Sequence, residues 1–200
     1  PVYSGNSKFD GYYEWTDPAD PSGNTPYDLA DRNPVGRLNS KRDRSTVLRS
    51  IGNVQFDYKL HFLSDLHLNL NLGYDISRSR GTVFIPAEAS LAYNAQGQSS
   101  RYREEKDNKL LEFYLNYSKQ LGTDHRVEAL AGYSYQDFLR YRPSYFTYTA
   151  AGTLLNPDAV LSLPFKTQNT LVSFYGRLNY AFKDRYLLTA TLRDDGSSHF

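Results

Sequence analysis

From Leu66 to Ser77 the chain alternates without a break. Leu66, Leu68, Leu70, Leu72, Tyr74 and Ile76 are apolar, whereas His67, Asn69, Asn71, Gly73, Asp75 and Ser77 are polar or lack a side chain. A β-strand sends successive side chains to opposite faces, so this run has one apolar face and one wetted face. The four-leucine face either closes the core of a soluble sandwich or meets lipid, and the two fates imply different functions.

Five further segments repeat the pattern. Thr46 to Phe62 places Leu48, Val54, Phe56, Tyr58, Leu60 and Phe62 on one face, with Arg49, Asn53, Gln55, Asp57, Lys59 and His61 on the other; Ile51 is out of step. Lys109 to Lys119, Arg126 to Gln136, Leu171 to Phe182 and Tyr186 to Asp195 alternate in the same way. Leu63-Ser64-Asp65, Gly122-Thr123-Asp124 and Lys183-Asp184-Arg185 are short polar joins of hairpin type. Between the hairpins run two long connections, about 78–108 and 137–170, rich in Tyr, Pro, Ser and Gly.

Tight turns alternating with long loops are what an outer-membrane β-barrel produces, and strands of about 9–11 residues suffice to cross a bilayer. Tyr58, Phe62, Tyr74, Tyr133, Tyr135, Tyr180, Phe182 and Tyr186 lie near strand ends on the apolar face, where interfacial girdles sit. The expected fold is all-β: an antiparallel up-and-down meander of about six strands, part of a larger transmembrane β-barrel, since about eight are needed for closure. Residues 1–44, with the turn-rich run Asp17 to Asn24, read as an outer-loop region. Residues 45–200 read as a partial barrel of three hairpins.

Composition narrows the alternatives. The net charge of +1, from 23 basic and 22 acidic side chains, gives no electrostatic basis for binding nucleic acid. Absence of cysteine excludes disulfides and thiolate metal sites. A mean hydropathy of −0.63 suits a water-soluble chain, but a barrel averages to the same range because half of each strand faces water. No apolar run approaches the roughly 18–20 residues of a membrane helix. With no methionine and no charged-then-apolar leader, the chain reads as a segment of a longer polypeptide.

Several stretches resemble the SusC/RagA-type TonB-dependent outer-membrane transporters. These are Pro1-Val2-Tyr3 with its Gly/Asp loop, Asn33-Pro34-Val35, Ile51-Gly52-Asn53-Val54-Gln55-Phe56-Asp57-Tyr58 and Leu70-Asn71-Leu72-Gly73-Tyr74-Asp75. The most specific are Ser173 to Tyr180, Lys183 to Arg193, and the closing Asp195-Gly196-Ser197-Ser198-His199-Phe200. The resemblance implies a fragment of the barrel region of a nutrient importer in the outer membrane of a Gram-negative cell. It further implies a 22-stranded barrel around an N-terminal plug, contact with outer-membrane lipid and a SusD-like surface lipoprotein as partner. TonB would act through a part of the parent that is not in this sequence, and the substrate would be a glycan or peptide.

Candidate site residues follow from chemistry. The aromatic stretch Tyr135, Phe138, Tyr141, Tyr145, Phe146 and Tyr148 offers rings that stack on sugars or peptide side chains, or that pack on one another to order a loop. Tyr175 and Arg177, with Thr189, Thr191 and Arg193, fall on the polar parity and are expected to face the lumen. The candidate substrate contacts are therefore Tyr141, Tyr145, Phe146, Tyr148, Tyr175 and Arg177. Lys41, Arg42, Arg44 and Arg49 form a basic cluster able to meet phosphate or to be solvated. Asp17, Asp20, Asn24, Asp28 and Asp31 lack the regular calcium-loop spacing and read as solvated turns. His61, His67, His125 and His199 show no third-ligand spacing, so no metal, and no other cofactor, is expected. Hydrolase and phosphate-loop signatures are lacking, and the reading is a non-enzyme. Two rival classes stand beside the importer: a soluble all-β carbohydrate-binding module and an outer-membrane barrel enzyme.

Overall fold

The computed structural model of the chain describes residues 2–4 and 8–198. Pro1, His199 and Phe200 of the stretches above lie outside the described residues. Six strands form one antiparallel sheet in sequence order: β1 (Arg42–Lys59), β2 (Leu66–Ile85), β3 (Gln98–Leu121), β4 (His125–Arg142), β5 (Phe165–Phe182) and β6 (Tyr186–Ser197). The order β1-β2-β3-β4-β5-β6 leaves β1 and β6 at the edges of this sheet. It is the expected up-and-down meander; the second and third turns fall where expected, whereas the first spans residues 60–65 and takes in Leu60 and Phe62, which the sequence placed on the strand that ends at Lys59. At the last turn, Lys183 (φ 51°) and Asp184 (φ 48°) take left-handed conformations, and Arg185 N–H donates to Phe182 C=O at 3.0 Å. Successive positive φ values match the twist of a tight hairpin.

The strands outrun their alternating stretches. β2 continues eight residues past Ser77, β3 begins at Gln98 rather than Lys109, and β4 and β5 extend to Arg142 and back to Phe165. The long connections therefore shrink to residues 86–97 and 143–164. The physical reason is that alternation marks a contrast between two environments. Where both faces meet water or polar neighbours, the backbone ladder persists while the period-2 signal disappears.

The chain divides into two compact units with interleaved segments. The sheet unit comprises Leu48–Arg78, Glu105–Tyr141 and Lys166–Phe200. Its register sets Leu111 opposite Tyr135, Phe113 opposite Tyr133 and Leu115 opposite Ala131, all on one face. Tyr180 opposite Leu188 and Leu178 opposite Ala190 extend that face across β5 and β6. The side chains there are not sealed by another layer: Leu72 is 39 % exposed, Leu178 45 % and Phe174 59 %, although all three lie on inner strands. A sandwich would bury them.

This apolar band has defined margins. At the hairpin end, the His125 ring lies 4.9 Å from Phe182 and 5.9 Å from Tyr180, whose hydroxyl is 2.6 Å from His125 Nδ1. Phe182 lies 6.3 Å from Tyr186, a grouping suited to an interfacial girdle. At the other end, positions of the same parity turn polar. The Arg78 guanidinium grips Asp107, with Glu105 at 3.5 Å, and buried Asp137 accepts from Gln168 and Thr170, each at 2.9 Å. Ten residue steps from Leu66 to Ile76, at about 3.3 Å each and a tilt near 45°, span roughly 23 Å, close to the ~25 Å apolar belt of such barrels.

The loop unit comprises Pro1–Val47, Ser79–Glu104 and Arg142–Phe165. The stretch read as aperiodic holds a helix, α1 (Pro34–Ser40), and a 3-10 turn at Lys8–Gly11, and β1 already begins at Arg42. Seven residues are too few to show helical periodicity, but the start signal is present. Asn33 Oδ1 accepts from Val35 and Gly36 N–H, and Pro34 occupies the first turn. Asn33 is itself held by three bonds: its Nδ2 donates to Val2 and Tyr13 carbonyls, and its N–H donates to Glu14 Oε1. Ser90 donates to the same Glu14 oxygen, and all three residues are buried, tying segments 76 positions apart.

Candidate functional site

The polar face of the sheet unit carries a network of charge and amide groups. Arg49 donates from Nε and Nη2 to the two carboxylate oxygens of Asp75, each at 2.8 Å. This fork-to-fork pairing fixes both side chains. One strand further, Asn71 Nδ2 donates to Glu112 at 3.1 Å, while Asn71 Oδ1 is buried without a hydrogen-bond partner. Ile51, out of step in the alternation, lines a depression of about 360 Å³ together with Gly73, Leu110, Gln136 and Phe138. Gly73 lies at its floor, where a Cβ would come into ordinary contact with Leu110 at 3.4 Å. A small apolar basin thus interrupts the otherwise polar face.

Tyr175 and Arg177 lie on the same parity, on β5. The Tyr175 ring is laid across Gly132 of β4 so closely that a Cβ built there would be 2.4 Å from the ring. Strand glycines crossed by a neighbour's aromatic ring also occur at Gly52 under Tyr74 and at Gly81 under Tyr102. On the other side, the Arg193 guanidinium stands 5.8 Å from the Tyr175 ring and donates to Ser173 at 3.1 Å and Asp195 at 2.9 Å. Arg177 is exposed, opposite Thr191. Asn179 accepts from Thr189 at 3.0 Å and lies opposite it. The face therefore offers a ring, guanidinium groups and hydroxyls in fixed positions, the donor set that binds polar solutes without bond chemistry.

The aromatic stretch divides. Tyr135, Phe138 and Tyr141 are strand residues of β4, not loop residues, with Tyr141 opposite Glu105. In the loop unit, Tyr145 lies under the Arg101 guanidinium at 5.4 Å, and Phe146 lines a small hollow with Leu155, Ala159 and Leu161. Tyr148 exchanges backbone bonds with Ser99 at 2.7 and 2.9 Å and pairs with Leu154. Tyr145 and Phe146 thus pack against the loop's own side chains while Tyr148 is held through its backbone, and Tyr145 is 37 % exposed.

Other candidates are placed as follows. Asp20 accepts from the N–H groups of Ser22 (2.9 Å), Asn24 (3.0 Å) and Thr25 (2.8 Å), and from the Ser22 hydroxyl. The Ser22 and Thr25 donors hold its carboxyl well below the usual carboxylate range. Asp17 accepts from Ala19 N–H, and Asp28 pairs with Arg32 at 2.8 Å. The acidic run thus organises its own turns. His67 Nδ1 meets Asp57 at 3.4 Å, and His61 Nδ1 meets the Tyr58 hydroxyl at 3.3 Å. Arg49 leaves the basic cluster by pairing with Asp75. The apolar basin around Ile51 and the rings across glycines were missed from sequence; an apolar residue breaking parity, and glycines inside strands, were the signals for them.

Comparison with known proteins supplies the context. No family model matches the chain. The TonB-dependent receptor SusC of Bacteroides thetaiotaomicron is 34 % identical over 171 residues, covering 84 % of this chain and 17 % of the receptor. The TonB-dependent receptor P3 of Formosa agariphila is 28 % identical over 151 residues, covering 70 % of this chain and 14 % of that receptor. Among solved structures, the RagAB peptide transporter matches with a TM-score of 0.70 and 18 % identity over 87 % of this chain and 20 % of that one. The RagAB peptide importer in its closed-closed state matches over all of this chain and 24 % of that one, at TM-score 0.66 and 20 % identity. The chain therefore spans about a sixth of the length of the curated relatives it matches.

This open antiparallel meander, with one uncovered apolar face and one hydrogen-bonded polar face, lies in a chain similar to these receptors and is part of an outer-membrane β-barrel of the TonB-dependent class. Within that class the chain belongs to the SusC/RagA type of transporter, as a fragment of its barrel region. Neither rival reading is favoured, since the relatives and structural neighbours bear receptor and importer names.

Proposed function

We propose that the chain forms one sector of the barrel wall of an outer-membrane importer, through which a glycan or peptide passes on energy delivered by TonB to another part of the parent. The observation that carries this reading is the division of the sheet unit into an exposed apolar face and a polar face knitted by Arg49–Asp75 and Asn71–Glu112. In this reading the apolar face touches outer-membrane lipid of a Gram-negative cell and the polar face lines the lumen. Residues 1–44 serve as an outer-loop region, residues 45–200 as the barrel segment, and a SusD-like lipoprotein shares capture of the substrate. Tyr175 and Arg177 line the substrate path, supported by their place on the polar face. Tyr145, Phe146 and Tyr148 serve as the ordered aromatic framework of a capture loop, and Tyr141 contributes to substrate contact from the end of β4. No step of the passage makes or breaks a covalent bond.

The test is uptake by cells whose full-length parent carries Tyr175→Ala with Arg177→Glu, with receptor abundance held equal. Uptake of the preferred glycan or peptide falls several-fold while general permeability is unchanged. Wild-type uptake in the double variant removes these residues from the path.

A further inference from the structure

The apolar basin on the polar face has no part in the passage described so far. Ile51 on β1, Gly73 on β2, Leu110 on β3 and Phe138 on β4 bring four neighbouring strands to one hollow of about 360 Å³, all within the sheet unit. Ile51, Leu110 and Phe138 occupy the parity that otherwise carries polar groups such as Arg49, Glu112 and Gln136. Ile51 and Phe138 are both exposed there. Water over an apolar hollow of this kind is released with a gain in free energy when an apolar group enters.

The charged residues lining the hollow are Asp75, Lys109 and Glu112. Asp75 has both carboxylate oxygens on Arg49, and the Lys106 charge bears on it as well. Lys109 belongs to the opposite parity, and its charge bears on Asp107. Glu112 differs. It accepts from the neutral amide of Asn71 and forms no ion pair with any described residue. Ser134 stands opposite it on β4, and from β5 the Tyr175 ring comes within range of its charge. A half-buried carboxylate with a neutral partner, set beside an apolar hollow, attracts a ligand that is cationic and apolar at once. The first residue of a peptide is such a ligand when its side chain is apolar. A neutral sugar brings neither a charge for Glu112 nor a side chain for the hollow, and the Asp75 carboxylate that could receive its hydroxyls is already engaged.

We propose that the basin receives the N-terminal residue of a peptide, with its apolar side chain among Ile51, Leu110 and Phe138 and its α-ammonium group on the Glu112 carboxylate. Gln136, opposite Leu110, supplies an amide for the peptide backbone. The inference rests on the importer reading above and narrows its substrate class to peptides with a free amino terminus.

The test uses the full-length parent purified in detergent as wild type, Glu112→Gln and Ile51→Asn/Phe138→Ser, with heat-modifiable gel migration verifying that each is a folded barrel. The probes are a tryptic digest of casein, the same digest N-acetylated, and a dextrin mixture; mass spectrometry identifies what each protein retains. Wild type enriches peptides beginning with Leu, Ile, Val or Phe about tenfold over those beginning with Gly, Ser or Asp, the factor expected for burying one such side chain. Acetylation lowers that retention at least fivefold. Glu112→Gln retains free and acetylated peptides alike, whereas Ile51→Asn/Phe138→Ser loses the first-residue preference and keeps the sensitivity to acetylation. A merely structural role for these residues would not separate the two readouts. Retention that ignores the first residue, ignores acetylation or favours dextrins overturns the proposal. So does a wild type that retains no peptide while the basin variants only lower the melting temperature, since the hollow then seats another part of the parent. Failure of the importer reading appears separately, as recovery of the full-length parent in the soluble fraction.

Discussion

The sheet unit and the loop unit are stabilised by different kinds of interaction. In the sheet unit, order comes from a regular ladder between neighbouring strands, and the apolar side chains remain largely uncovered: Leu72, Phe174 and Leu178 are all more than a third exposed. In the loop unit, order comes from single buried polar links, with Glu14 receiving bonds from Asn33 and Ser90, and from isolated ring contacts such as Phe9 on Tyr93 at 5.1 Å. The first arrangement tolerates exchange of one apolar side chain for another, because an uncovered face has no facing layer whose packing could be lost. The second does not, because each buried donor has one acceptor and no substitute.

The sharpest way to break this contrast is to charge the sheet. Leu70→Arg in the full-length parent places a guanidinium on the lipid-side parity near mid-band and costs about 2–4 kcal/mol in folding into liposomes. Asn71→Arg, one residue on, lies on the opposite face within reach of Glu112 and is expected to be nearly neutral. Equal losses from the two would show that the faces are not lipid and lumen.

A second perturbation overfills the polar face. Gly132→Val forces a side chain into the Tyr175 ring, where a Cβ alone would come within 2.4 Å, and costs about 1–3 kcal/mol as an overpacked contact. Gly132→Val with Tyr175→Ala recovers part of that loss, so a double-mutant cycle in urea melts yields a favourable coupling. Strict additivity would mean that the ring is not seated on the glycine.

The loop unit is sharpened by Asn33→Ala. The change removes the cap of α1 and the bonds to Val2 and Tyr13, a loss of about 1–2 kcal/mol confined to that unit. Amide exchange read by mass spectrometry is expected to speed up in segments 8–40 and 86–97 together, because Glu14 joins them through Ser90. Exchange rising throughout β2 to β5 would instead make the two units one cooperative block.

Legibility followed the same contrast. The meander, its last two turns and the alternation of Leu66 to Ile76 could be read from the period-2 pattern, since a contrast between an apolar and a polar face writes itself into adjacent residues. The extensions of β2 to Ile85 and β3 from Gln98 were not legible, because pairing between two polar faces leaves no period. The joining of Glu14, Asn33 and Ser90 was not legible either, as it depends on residues up to 76 positions apart with no composition signal. At the candidate site, Tyr175 and Arg177 were assigned a face by parity alone, whereas the seating of the Tyr175 ring across Gly132 needed the pairing of two strands. Ile51 carried information as an exception: an apolar residue on a polar parity marked the basin it lines.

The smallest expected effect separates a turn that organises itself from one that waits for a cation. Asp20 spends its carboxylate on three backbone N–H groups and the Ser22 hydroxyl, which hold it ionised below its ordinary value of 3.8. A carboxyl with a depressed folded-state value stabilises its loop wherever it is charged, so the contribution is fully present above about pH 4 and is lost as the pH falls from there towards the folded value. Amide exchange at Ser22, Asn24 and Thr25 is therefore expected to show protection that is flat from pH 7 to 5, lost on further acidification, and absent at every pH in Asp20→Asn. Because the carboxylate's acceptors are already filled by these donors, added calcium is expected to change neither curve. A calcium-dependent gain in protection would show that the turn is a ligand loop whose internal bonds yield to the metal, and that the loop unit is ordered by an ion as well as by its own buried polar links.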